Sequence, residues 1–288
     1  MSGAPRQWTV LSLLEWTTDH LTRGGFDEAR LHVEILLAHV LRLRRLDLYL
    51  QFDRPLTSEE LAQFRGLYER RLKHEPLQYI VGETEFMGMR FEVNPAVLIP
   101  RPETEVLVER AIDILSRGEG KFRTILDIGS GAGAICIPLA KRFPAITVTA
   151  VEIEAGAIGV ARRNAEHHGV SNVQFVRADV LVDRIEGGPF DMVLSNPPYI
   201  PAAEMPTLQE EVKLFEPRGA LTDGGDGLTF YRRIGELLPT MLNRGGVVAV
   251  EVGAGQDIEV SEILRKGGMD NLRTVKDYAG IERVVIGV

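Results

Sequence analysis

Thr124-Ile125-Leu126-Asp127-Ile128-Gly129-Ser130-Gly131-Ala132-Gly133 decides the fold of this 288-residue chain. Its first five residues are rich in aliphatic side chains and read as a strand buried on both faces. Three glycines then let the chain turn sharply, and 134–142 reads as a helix. A strand, a glycine turn and a helix open a doubly wound sheet, whose ligands sit at the carboxyl edge of the strands. The spacing here is Gly-x-Gly-x-Gly. The dinucleotide fingerprint, Gly-x-Gly-x-x-Gly, makes the turn that admits a pyrophosphate, so the difference favours a ligand without phosphate.

The rest of the second half keeps the same rhythm. Strands are expected over 147–152, 173–177, 190–194, 246–252, 272–276 and 283–286, with helices over 155–168, 228–242 and 258–266. That alternation predicts an α/β fold with a mainly parallel sheet. Only six residues, Asp277 to Glu282, join the last two strands, too few for a crossover helix, so those two should run antiparallel.

Acidic residues recur where these strands end. Asp127 closes on the glycine loop and can accept from an ammonium, directly or through water. Glu152 ends the next strand, where a carboxylate meets ribose hydroxyls in such sheets, and Asp179 follows the third, within reach of an adenine amino group. With Gly129, Ser130, Gly131, Ala132 and Gly133 allowing close backbone approach, these residues describe a site for S-adenosylmethionine, with S-adenosylhomocysteine as product. After the strand over 190–194 comes Asn196-Pro197-Pro198-Tyr199. An amide, a rigid Pro-Pro backbone and an aromatic face suit a small planar NH2 group. Asn196, Pro197 and Tyr199 are therefore the expected catalytic residues, and Asn196 also borders the cofactor.

The first half has a different texture. Apolar residues at three- and four-residue intervals, Leu11, Leu14, Leu21, Leu31, Ile35, Leu36, Val40 and Leu43, indicate helices. Thr57 and Glu60 have capping-box spacing ahead of another helix. The expected division is a helical domain over 1–75, a β-hairpin linker over 76–100 and a catalytic domain over 101–288. In the linker, Tyr79-Ile80-Val81-Gly82 and Phe91-Glu92-Val93-Asn94-Pro95 read as strands about Gly88. Glu103 or Thr104 is expected to cap the helix after Pro102.

Composition narrows the classes. The chain is 44% apolar and carries a formal charge of −8, which lowers the expectation of a nucleic-acid partner. One cysteine, Cys136, excludes an internal disulfide and reads as a packing residue. The histidines lack metal-ligand spacing, so no metal is expected, and no Gly-x-Ser-x-Gly elbow supports a hydrolase. No signal peptide or membrane span is read, and a cytoplasmic monomer is expected.

Several stretches together carry a resemblance. They are Glu75-Pro76-Leu77-Gln78-Tyr79-Ile80-Val81-Gly82, Val97-Leu98-Ile99-Pro100-Arg101-Pro102-Glu103-Thr104-Glu105, the glycine loop, Asn196-Pro197-Pro198-Tyr199-Ile200, Phe215-Glu216-Pro217 and Gly225-Asp226-Gly227-Leu228. On these the chain resembles the HemK/PrmC family, release-factor glutamine N5-methyltransferases, over nearly its whole length. The resemblance implies a class I methyltransferase domain, Rossmann-like and seven-stranded with the last strand antiparallel, behind a small helical substrate-recognition domain. It implies transfer of a methyl group from S-adenosylmethionine to the glutamine of the Gly-Gly-Gln motif of class I release factors. Asn196, Pro197, Pro198, Tyr199 and Arg101 would contact that substrate, and Val180, where some members carry an aromatic, would lie beside the adenine. Alternatives are another protein glutamine, such as one of a ribosomal protein, an adenine amine of nucleic acid, or a noncatalytic binding module.

Overall fold

Thr57 and Glu60 close a reciprocal cap: the Glu60 amide donates to Thr57 Oγ1 at 3.2 Å and the Thr57 amide to Glu60 Oε2 at 2.9 Å. This cap starts α4 (Ser58–Arg71), which follows α1 (Val10–Arg23), α2 (Ala29–Leu41) and α3 (Arg45–Leu50). Leu13, Leu14, Leu21, Val33, Leu36, Leu37, Phe64 and Tyr68 share one core. Leu11, expected on that stripe, is 37% exposed, because Val10, Leu14 and Leu21 set the inward face of α1.

The computed structural model describes residues 7–118 and 120–288, and the chain forms two compact units that divide between Gly82 and Glu83. The expected strand at 79–82 is instead a short helix, α5 (Leu77–Val81). Pro76 opens it, and Leu77 and Ile80, three residues apart, face the core of the helical unit, an arrangement that a strand's two-residue period could not give. Gly82, at φ +83°, ends it. The hairpin begins only then, with β1 (Glu83–Phe86) and β2 (Met89–Glu92) joined by Met87 and Gly88 at φ +52° and +66°. Positive φ at both turn residues matches the twist of a two-residue hairpin. The stretch 76–100 is thus divided, its first part packing with the helices and its second with the larger unit.

In the larger unit α6 (Pro102–Arg117) precedes β3 (Thr124–Ile128), α7 (Cys136–Arg142), β4 (Thr147–Glu152), α8 (Ala155–His167), β5 (Val173–Arg177) and β6 (Phe190–Ser195). Then come α9 (Glu210–Phe215), α10 (Arg218–Leu221), α11 (Thr229–Met241), β7 (Leu242–Glu251), α12 (Asp257–Lys266), β8 (Arg273–Lys276) and β9 (Glu282–Gly287). Seven strands make one sheet in the order β5-β4-β3-β6-β7-β9-β8. All neighbours are parallel except β9, which runs antiparallel to both β7 and β8, as the short link after Lys276 requires. The short helices α9 and α10 lay beyond sequence reading, being too brief to show a period.

Alternation along the strands builds two cores. Ile125, Val148, Ala150, Met192, Leu194, Val247 and Ala249 face one side with Leu107, Ala111, Cys136 and Leu139 of the covering helices. Leu126, Ile128, Val193, Val248 and Val250 face the other with Tyr231, Ile234, Leu238, Val260 and Leu264. Cys136 is wholly buried, so packing accounts for it. Truncating one of these fully buried leucines to Ala would cost about 2–5 kcal/mol.

Candidate active site

Register brings the two motifs together. Ile128 pairs with Ser195 across β3 and β6, and Ser195 with Val250 across β6 and β7. The next residues, Gly129, Asn196 and Glu251, therefore stand level at the carboxyl edge. The sheet order reverses between β3 and β6, so a crevice opens there. It is a cavity of about 590 Å³. Gly129, Gly131, Glu152, Asp179, Val180, Asn196, Pro197 and Pro198 line it, together with 95–98, Ile153, Leu181, Asp223 and Phe230.

The glycine loop is held from below. The amides of Gly129 and Ser130 donate to the Val151 carbonyl at 2.9 and 3.1 Å, and Gly129, Gly131 and Gly133 have φ of +79°, +52° and +88°. A Cβ on Gly133 would lie 2.4 Å from Ile137 Cδ1, so that side chain would have to turn aside, and φ +88° is itself strained for any residue that carries a Cβ. Asn164 Nδ2 donates to the Ala132 carbonyl at 2.9 Å and its Oδ1 accepts the Glu92 amide at 2.7 Å, tying loop to hairpin.

Glu152 serves as a bracket: Oε2 accepts the Gly131 amide at 2.9 Å, while Oε1 accepts the amides of Ile153 and Glu154 at 2.9 and 3.0 Å. Each carboxylate oxygen has more than one lone-pair site, so a ribose hydroxyl could still donate to Oε2. Asp179 Oδ1 accepts the Leu181 amide at 2.9 Å, and Oδ2 takes no bond from the described residues.

Asp127 is completely buried, and neither of its carboxylate oxygens has a hydrogen-bond partner among the described residues. Burial raises its pKa from 3.8 to about 7; the Cys136 thiol and amide offset part of this, and the Glu152 charge adds to it. The thiol itself is directed at the Gly133 carbonyl, 3.7 Å away, so it does not satisfy the carboxylate. Ser130 Oγ is buried and likewise has no hydrogen-bond partner among the described residues. Orphaned acceptors beneath a glycine loop fit an amino-acid ammonium, which is what S-adenosylmethionine carries.

Opposite the loop, Asn196 Nδ2 donates to Thr104 Oγ1 at 3.0 Å, and Thr104 donates on to Glu251 Oε2 at 2.6 Å. Asn196 Oδ1 accepts nothing from the described residues, although its side chain borders the cavity. Gln256 Nε2 donates to the Tyr199 carbonyl at 2.9 Å, fixing the end of the motif. Burial, with the Glu251 charge, pushes the Tyr199 hydroxyl up to about 12, so it stays neutral.

A model of the PrmC N-terminal domain matches residues 12–82, and one of the methyltransferase small domain matches residues 104–233. The release factor glutamine methyltransferase of Geobacter sulfurreducens is 46% identical over 287 residues, covering 100% of this chain and 99% of that one. The chain belongs to the release factor glutamine methyltransferase family. The member from Chlorobaculum tepidum is 45% identical over 284 residues, covering 96% of each chain. A methyltransferase structure from Pyrococcus furiosus, 24% identical with a TM-score of 0.51 over 80% of this chain and 98% of that one, shares the fold alone.

Within that family frame, the cavity brings together most of the residues singled out in the sequence. Asp127, Ser130, Ala132 and Gly133 lie behind the wall as its support, and Tyr199 and Arg101 lie outside the lining. Arg101 pairs with the buried carboxylate of Glu216, whose Oε2 also accepts the Ile99 amide at 3.4 Å. Burial raises the Glu216 pKa against the opposing Arg101 charge. This pair joins the Ile-Pro-Arg-Pro loop to Phe215-Glu216-Pro217.

The expected cap of α6 by Glu103 or Thr104 does not form. Arg101 occupies the N-cap position without a side-chain cap bond, and Thr104 turns inward to Glu251. Pro102 supplies the first helical residue, whose missing N–H needs no cap. Sequence reading also missed Glu251 and Phe230: a lone Glu closing a strand and a lone Phe opening a helix carry no local signal.

Proposed function

We propose that this protein transfers the methyl group of S-adenosylmethionine to the side-chain amide nitrogen, N5, of the glutamine in the Gly-Gly-Gln motif of class I peptide chain release factors. The observation that carries the reading is the fixed polarity of Asn196: its NH2 is engaged by Thr104, so the Oδ1 at the cavity is an acceptor for a substrate NH2. Asp127 and Ser130, behind the cavity wall, would hold the amino-acid end of the cofactor through water, Glu152 the ribose, and Asp179 the adenine amine between Val180, Leu181 and Phe230. When bound, S-adenosylmethionine supplies an electrophilic methyl group on a sulfonium.

The chain's own residues supply orientation. A glutamine nitrogen is a poor nucleophile while its lone pair is delocalised into the carbonyl. Asn196 Oδ1 and the Pro197 carbonyl accept its two hydrogens, and the Pro197-Pro198 backbone keeps both acceptors in place. Tyr199, outside the lining, packs against the core behind the motif and would reach the amide plane only with a turn of its ring. Held this way, the nitrogen lone pair points at the methyl carbon, and effective molarity supplies most of the rate. The nitrogen becomes acidic as it gains its fourth bond, so a proton leaves to solvent without a dedicated base. The helical unit binds the rest of the release factor, and the protein acts in the cytoplasm as a monomer.

The test is peptide mass spectrometry after incubation with S-adenosylmethionine and a release factor bearing either Gly-Gly-Gln or Gly-Gly-Ala. One added methyl on the Gly-Gly-Gln peptide only is the expected result. No methyl on either, with cofactor binding intact, would refute this substrate and redirect the search to ribosomal proteins and adenine-containing nucleic acid.

A further inference from the structure

Thr104 and Glu251 stand outside the motif that faces the cavity, yet both are buried, at 3% and 1% exposure, and both are polar. A buried hydroxyl and carboxylate are costly unless they serve one another or something else. Register explains how they meet. Glu251 is the last residue of β7, level with Asn196 after β6, and Thr104 reaches the same edge from the first turn of α6.

The hydrogen-bond inventory then sets a direction. A threonine hydroxyl has a single proton, and here it is donated to Glu251 Oε2 at 2.6 Å. With Glu251 ionised, what remains on Thr104 Oγ1 is acceptor capacity, which the NH2 end of Asn196 satisfies at 3.0 Å. The flipped amide would set two acceptors against each other. We infer that Glu251 and Thr104 are positioning residues that fix which end of the Asn196 amide faces the substrate. Glu251 acts through Thr104, and Thr104 through Asn196; neither touches the reacting atoms.

The Tyr231 hydroxyl donates to the Glu251 carbonyl at 2.7 Å, anchoring the strand end from which the relay starts. Oε1 of Glu251 has no hydrogen-bond partner among the described residues, so the carboxylate's hold on the relay runs through Oε2 alone. This inference rests on the proposed clamp on the substrate amide, and its test must separate the two.

The first experiment is a double-mutant cycle on transfer to the Gly-Gly-Gln release factor. Thr104→Val keeps the shape and removes the hydroxyl; it should lower kcat about tenfold to a hundredfold, with the cofactor dissociation constant unchanged. Thr104→Ser, which restores the hydroxyl, should recover activity to within about threefold of wild type. In an Asn196→Ala background, Thr104→Val should cost nothing further, since the group it orients is gone. An equal loss in both backgrounds would overturn the relay while leaving the clamp intact. Full activity of Asn196→Ala alone would overturn the clamp and the relay with it.

A second readout needs no substrate. The Asn196 side-chain NH2 resonances, assigned by their absence in Asn196→Ala, should shift in Thr104→Val and return in Thr104→Ser. Resonances that stay in place in Thr104→Val would refute the bond on which the relay depends.

Discussion

Replacing Asp127 with Asn should make the cofactor-free protein progressively more stable than wild type as the pH rises. Asp127 is buried without a hydrogen-bond partner among the described residues, and its pKa moves from 3.8 to about 7, chiefly by burial. A shift of roughly 3 units at about 1.4 kcal/mol each corresponds to about 4 kcal/mol. The folded carboxyl holds its proton more tightly than the unfolded one, so between the two pKa values the native state binds more protons. Its stabilising contribution is full below pH 4, declines as the pH rises, and is lost above pH 7. Asn has no such dependence. The stability difference between variant and wild type should therefore widen by about 4 kcal/mol between pH 4 and pH 8, whatever constant offset the new amide adds. Urea unfolding of both proteins without cofactor at one-unit pH intervals measures it, and taking the difference cancels Glu251, whose pKa burial also raises to about 7. A difference flat in pH would refute the raised pKa. The same carboxylate should couple to the cofactor: an ammonium favours the ionised form, so wild-type affinity should weaken by up to about tenfold per unit below pH 7, and that dependence should vanish in Asp127→Asn.

Three further substitutions probe the wall and the clamp. Asn196→Ala should keep cofactor affinity in calorimetry while turnover falls by about a hundredfold or more, and unchanged turnover would remove Asn196 from the mechanism. Gly131→Val places a branched side chain on the cavity wall at φ +52°, and calorimetry should show cofactor binding lost. Wild-type affinity there would contradict the loop assignment. Gly227→Ala would set a Cβ 2.2 Å from the Tyr199 carbonyl, at φ +80°, so the end of the Asn-Pro-Pro-Tyr segment must move. Transfer should fall about tenfold to a hundredfold with cofactor affinity within a few-fold of wild type, and an unaltered kcat would show that the Tyr199 backbone does not need this seat.

Some of these features could be read from the chain and some could not, for identifiable reasons. β3 and β4 fall where their apolar runs and flanking turns place them, because an inner strand covered on both faces must be largely apolar, and the edge strand β5, with Gln174 and Arg177 exposed, falls where its alternation and flanking turns place it. The capping box at Thr57 is local chemistry and forms as written. Tyr79-Ile80-Val81-Gly82 has β-forming residues yet folds as α5, because burying Leu77 and Ile80 on one face outweighs a weak propensity. Thr104 had the residue type and position of a cap, but a buried acceptor on a strand 147 positions away took its hydroxyl instead.

By itself the sequence determined the succession of strands and helices, the antiparallel last strand, the glycine loop and the Asn-Pro-Pro-Tyr segment, since each depends on residues close together in the chain. Only the tertiary structure decided the sheet order that opens the crevice, the register that sets Gly129, Asn196 and Glu251 level, and the orientation of the Asn196 amide. Hydrogen bonds between strands and helices distant in sequence leave no periodic trace, and a single Thr or Glu gains its role from what packs against it.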